Sequence, residues 1–329
     1  MENSIQFFLR SVVTVLMTCI GISVYCQTKE ETNNMNIAEK VERITPEIAK
    51  NNRIMYAIHL NTRTPYELYF DDILISHNHK SDFVSRTKRL NTYLFRNGKY
   101  KVKLRFLPLT DSKDSLVHPN DIFLNDSNRW EVYFAGVKID NTTPVGYSES
   151  IDYDSSKLTI VAPPHAVPVW EQEFEVEVNH LPYSLEGWSE SEDLRNWDQE
   201  ELEKAVVAYY ELIRDKLNKN EINEVQRMFK RAVSEIFYVN YIDDSLEEFI
   251  VEDYEDIKMK WGGKMIELKD YYVNISSNGK LVQLKVKNKE HYNWGALIGY
   301  SEEMGSRGLS IIIHKPKNSD SFEIIRLVQ

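Results

Sequence analysis

Cysteine is almost missing from this chain: Cys19 and Cys26 are the only two in 329 residues. Beyond residue 26 there is therefore no disulfide, no thiolate nucleophile and no cysteine–metal site. Glycine and proline are sparse, at 12 and 10, whereas Tyr, Phe and Trp number 19, 13 and 6. That balance argues for a packed globular chain rather than a disordered one. Long apolar runs are also lacking. Residues 11–25, SVVTVLMTCIGISVY, carry no charge, yet such a run is shorter than the ~20 residues a helix needs to cross a bilayer. No G-x-S-x-G elbow, P-loop, H-E-x-x-H or G-x-G-x-x-G occurs, so the sequence announces no reaction by motif.

The uncharged run follows Arg10 and precedes a polar stretch, QTKEETNN, the pattern of a secretory signal peptide over residues 1–26. Cleavage before Gln27 would remove both cysteines. The alternative is a lipid anchor on Cys26, although Tyr25 is bulky for the position before a lipidated cysteine. Either way the expected location is outside the cytoplasm, periplasmic or extracellular, with membrane contact only through that anchor. Residues 27–52 read as a polar tether with a short helical pattern in NIAEKVERI, interrupted by Pro46.

The net charge of −11 is unevenly spread, since residues 53–115 hold 12 Lys+Arg against 6 Asp+Glu. An acidic chain repels phosphate backbones, and no nucleic-acid partner is expected. The basic segment reads as a strand face that leans on the acidic half, or else as a surface for an anionic glycan or lipid.

From Arg53 the hydrophobic period is that of strands: RIMYAIHLNT, YELYFDDILIS, RLNTYLF, KYKVKLRFLPL, WEVYFAGVKI, KLTIVAPP and WEQEFEVEV. In KYKVKLRF, Tyr100, Val102, Leu104 and Phe106 alternate with Lys99, Lys101, Lys103 and Arg105; in WEQEFEVEV, Phe174, Val176 and Val178 alternate with Glu173, Glu175 and Glu177. These are half-buried strands with charged outer faces of opposite sign. The expectation is an antiparallel β-sandwich domain over residues 53–178. Residues 179–197, with Pro182, Gly187, Trp188 and Trp197, read as a linker.

After the linker the period becomes helical. Asp198-Gln-Glu-Glu201 is a capping box, and Leu202, Val206, Tyr209, Ile213 and Leu217 follow at helical spacing. A second helix carries Ile222, Val225, Phe229, Val233 and Ile236, and a third follows Asp244-Ser-Leu-Glu247. KMIEL, YYVNIS, KLVQLKVK, HYNWGALIGY, LSIIIHK and FEIIRLV then read as strands. Residues 198–329 are therefore expected to form an α+β domain, its helices packed on an antiparallel sheet.

Two resemblances accompany this reading. Asn91, Leu94, Gly98, Val102 and Leu104 give an outline similar to galactose-binding-like, lectin-like β-sandwich domains; no sugar or calcium residue carries over. The element order from Trp197 onward resembles NTF2-like, cystatin-like α+β folds, which implies a small-molecule pocket between helices and sheet.

Four features could carry chemistry. His77-Asn78-His79 places two imidazoles at i, i+2, close to Asp71, Asp72 and Asp82; the pair is a metal candidate that lacks a third ligand at diagnostic spacing, so no metal and no cofactor is expected. The tract from Asp243 to Asp256 holds eight carboxylates and reads as a solvated helix face. Ser306 in MGSRG is a poor nucleophile elbow. In residues 291–308, HYNWGALIGYSEEMGSRG, His291, Tyr292, Trp294 and Tyr300 stand among four glycines, a composition suited to a ligand-facing rim for sugar or peptide. The functional expectation is an exported, non-catalytic binding protein of the cell envelope whose partner is a small molecule, a glycan or another protein, an immunity-type role included. The alternatives are a glycan-active hydrolase with an accessory β-domain and an envelope structural protein.

Overall fold

The computed structural model describes residue 48 and residues 52–79, 82–107, 130–139, 147–151, 157–165, 167–242, 246–288 and 290–328. The leader, the helical pattern of the tether and the first carboxylates of the acidic tract lie outside these residues. The described chain is a β-rich α+β protein with three antiparallel sheets and three α-helices. No described helix is long and apolar enough to cross a membrane. Contacts divide the chain into two compact units that meet in sequence between Gly187 and Trp188.

The first unit begins with β1 (Ile54–Thr62), β2 (Tyr66–Phe70), β3 (Ile73–Asn78), β4 (Val84–Arg89) and β5 (Gly98–Phe106). It continues with β6 (Glu131–Ile139), β7 (Tyr147–Ile151), β8 (Lys157–Leu158) and β9 (Trp170–Val178). One sheet runs β4-β1-β6-β7, with β8 on β6, and the other β3-β2-β5-β9. Strand β5 buries Tyr100, Val102, Leu104 and Phe106 as its alternation predicts. YELYFDDILIS folds as a hairpin, since Asp71 and Asp72 both take positive φ, 44° and 68°, the backbone of a two-residue primed turn.

RLNTYLF is a correction. The strand precedes it as β4, and Asn91–Tyr93 form a 3-10 turn. Buried Asn91 accepts from the Tyr56 N–H and donates to the Ile54 carbonyl, at 2.9 Å each, so a polar side chain plugs the end of β1 where an apolar strand was read. KLTIVAPP likewise shrinks to the two residues of β8.

In the second unit, α1 (Gln199–Asn218), α2 (Ile222–Val239) and α3 (Leu246–Trp261) precede β10 (Tyr271–Ile275), β11 (Val282–Val286), β12 (Leu297–Ser301), β13 (Gly305–His314) and β14 (Glu323–Val328). The sheet order is β10-β11-β13-β12, and β14 pairs with β13. Asp198 caps α1 by accepting from the N–H groups of Glu200 and Glu201 at 3.0 Å. KMIEL contributes no strand, only a bridge between Met265 and Gly299.

Helices and sheet share one core built from Leu202, Val206, Tyr210, Phe229, Ile257, Leu284, Leu297, Ile311 and Ile313, among others. Tyr210, not Tyr209, sits at its centre. Its hydroxyl donates to the Ile311 carbonyl at 3.1 Å and accepts from the Leu284 N–H at 3.0 Å, so α1 is tied to two strands by one buried phenol. The NTF2-like outline implies a pocket between helices and sheet; Tyr210 and the apolar residues of this core line that interface.

The sequence read as a linker belongs partly to each unit. Leu181 exchanges hydrogen bonds with the Asn97 side chain in the first. In the second, Ser191 bridges to Pro316 and the Leu194 N–H donates to the Gly279 carbonyl.

Candidate functional site

The aromatic rim lies at the β12 end of the second unit's sheet. The chain leaving β11 turns at Asn293, in the left-handed region at φ 69°. Its amide oxygen accepts from the Tyr272 hydroxyl and the buried Lys285 ammonium, both at 3.0 Å. That anchor fixes the flanking residues. His291 is edge-on to Trp294 with ring centroids 4.7 Å apart, while Tyr292, Trp294 and Tyr300 are 58%, 40% and 53% exposed. Such exposure of three large rings on well-fixed backbone is unusual in a packed domain.

Strand register places Ile298 opposite Gly308 and Tyr300 opposite Ser306, and cross-strand partners share a face. A Cβ on Gly308 would lie 3.2 Å from Trp294 Cε3, so the indole lies over this glycine, on the face that Tyr300 also occupies. Ile266 joins them through its N–H donation to the Ile298 carbonyl and is 44% exposed. Sequence reading missed Ile266, because the edge contact that brings it there is made by an irregular segment.

Gly295 and Gly299 hold the wall behind. A Cβ on Gly295 would lie 2.7 Å from Ser310 Cα, and one on Gly299 2.9 Å from Trp261 Cδ1. They are needed for close approach of backbone to strand and helix, so the surface is an open face on a rigid support.

The remaining candidates resolve differently. His77 and His79 do lie side by side, with ring centroids 5.0 Å apart and the planes tilted by 34°, but His79 Nε2 faces Glu67 Oε1 at 3.3 Å. The buried Glu67 also accepts from the Tyr69 hydroxyl at 2.8 Å and from Arg105 at 3.1 Å. Burial raises the Glu67 pKa, yet these hydrogen bonds prevail and bring it to about 2. Burial lowers that of His77. Among the described residues no group of three or more His, Cys, Asp or Glu is placed to hold a metal ion. Ser306 lies in β13 opposite Tyr300 and close to no histidine in the pairing.

A second buried network was invisible in the sequence. Ser191 Oγ lies 2.7 Å from His314 Nδ1. His314 Nε2 has no hydrogen-bond partner among the described residues, and Glu323 is 3.7 Å away. Arg231 joins Glu235 to Glu323, and the fully buried Arg326 pairs with Glu235 at 2.5 Å and lies over the Trp188 ring. The Ser–His–Glu order resembles a nucleophile with its base, but Ser191 and His314 are shielded from solvent, so a substrate carbonyl has no route to Oγ. The partners lie 123 residues apart in sequence, and only folding joins them.

Comparison with protein-family models, curated proteins and solved structures finds no match. The site's chemistry therefore rests on its own geometry.

Proposed function

We propose that this chain is an exported, non-catalytic binding protein of the cell envelope, composed of a β-sandwich domain and an α+β domain, with the ligand held on the open aromatic face of the latter. The observation that carries the reading is the arrangement of Tyr292, Trp294 and Tyr300, exposed on one sheet end whose backbone is fixed by Asn293 and by close-packed glycines. Aromatic faces on a rigid support bind flat, partly apolar surfaces such as the faces of sugar rings. An open surface suits a chain-like glycan or a protein better than an enclosed small molecule. Export would follow from the leader, with cleavage before Gln27 or lipidation at Cys26.

A glycan-active hydrolase is the second reading. It would start from Asp253, whose burial pushes its carboxyl up to about 6, the range of a general acid. The test is a glycan array and an envelope pull-down with the full chain beside Trp294→Ala/Tyr300→Ala. Loss of a reproducible binding signal in the double variant, with the melting temperature kept, supports the binding surface. Turnover of a glycan that disappears in Asp253→Asn would replace it with the hydrolase.

A further inference from the structure

The edge of the second unit's sheet at β10 carries no charged residue. Its sequence, YYVNI, contains neither charge nor proline, and β10 has β11 alone as its strand partner among the described residues. Natural sheet edges are normally blunted by lysine, proline or a covering element. At β4, an edge strand of the first unit, Arg86, Lys88 and Arg89 serve that purpose. On the far side of the second sheet, α2 packs on β14.

The ladder fixes which backbone groups of β10 point outward. The Lys287 N–H donates to the Asp270 carbonyl and the Ser276 N–H to the Leu281 carbonyl, and Tyr271 stands opposite Val286. Hydrogen-bonded and non-bonded pairs alternate in an antiparallel ladder. Residues 270, 272, 274 and 276 therefore bond to β11, while the N–H and C=O groups of Tyr271, Val273 and Ile275 face away from it. All five side chains of β10 are half-exposed, so the edge is reachable.

We propose that this edge is a pairing site for a second copy of the chain, through an antiparallel β10–β10 contact centred on Val273. In that two-fold register Val273 meets its own copy and Tyr271 meets Ile275 of the copy. Every outward donor then faces an outward acceptor. No like charges meet, because the strand has none. A second copy of β4 would bring Arg86, Lys88 and Arg89 together, which is unfavourable. The contact is isologous and closes on itself as a dimer rather than a fibre.

Sedimentation of the full chain over a range of concentrations, with residue-resolved amide exchange, tests this. The expected result is a reversible dimer in which exchange at Tyr271, Val273 and Ile275 slows with concentration, while Tyr272 and Asn274 are protected throughout. Val273→Pro removes an outward N–H and should weaken dimerisation at least about tenfold, or ~1.4 kcal/mol, with the monomer fold kept. If that variant does not fold, Asn274→Lys provides the same test by charging the edge. A monomer at all concentrations with fast exchange at the three outward amides overturns the proposal. So does a dimer insensitive to both variants, or protection that dilution does not remove. Protection that arises only when an extended peptide is added to a monomeric chain also overturns it and assigns the edge to a different partner.

Discussion

His314 and Asp253 respond to acid in opposite senses. Burial, reinforced by the Arg231 and Arg326 charges, lowers the His314 pKa from 6.5 to about 3. The unfolded chain then takes up a proton that the folded one refuses. The contribution of this group is complete above pH 6.5 and is lost as pH falls from there towards 3. In His314→Gln the urea midpoint should be lower than in the parent at pH 7, through loss of the Ser191 contact, and should vary less between pH 7 and 4. Burial raises the Asp253 pKa from 3.8 to about 6, and the nearby Asp256 adds to it. Its folded form prefers the proton, so the contribution is complete below 3.8 and is lost as pH rises through 6. Asp253→Asn should raise the melting temperature at pH 7 and leave it nearly unchanged at pH 4. An equal gain at both values would place the effect outside ionisation.

The β5–β9 pairing shows most directly how a strand pattern becomes a contact. The register sets Lys101 opposite Glu175, Lys103 opposite Glu173 and Arg105 opposite Glu171. Ion pairs join Lys99 to Glu175 at 2.6 Å, Lys101 to Glu173 at 3.4 Å and Arg105 to Glu171 at 3.2 Å. The cationic face read from KYKVKLRF is thus matched by the acidic face of its neighbour. Lys101→Glu should cost roughly 1 kcal/mol, measured by urea unfolding at low ionic strength, and less in high salt, since exposed pairs are weak and screened. Alternation made these strands legible, and the capping box made α1 legible. RLNTYLF misled because its apolar residues, Leu90 and Leu94, are buried by a turn, which an apolar count cannot tell from a strand. Tyr209 and Tyr210 are adjacent, and helical spacing alone could not choose between them; the hydroxyl bonds to β11 and β13 make the choice.

Across the whole molecule, the sequence revealed the rim's composition but not its construction. His291, Tyr292, Trp294 and Tyr300 share one segment, so their grouping needed no folding. Ile266 is brought to them by an edge contact, and Ser191, His314 and Glu323 meet only after the strand order is set. The two kinds of rim residue should separate by experiment. Gly295→Ala forces a Cβ to within 2.7 Å of the Ser310 backbone and should destabilise the chain by about 1–3 kcal/mol. Tyr300→Ala, largely solvated, should stay within ~0.5 kcal/mol of the parent while weakening whatever binding the glycan array records. Similar stability losses in both variants would mean that the tyrosine is part of the packing.

The glycines behind the rim divide it into a part free to vary and a part that is not. Side chains at 292 and 300 can be exchanged like tiles, whereas no heavier atom fits in the masonry at 295 or 299. A lineage carrying this frame could re-tile its outer skin by single substitutions, with the scaffold's shape left as it was.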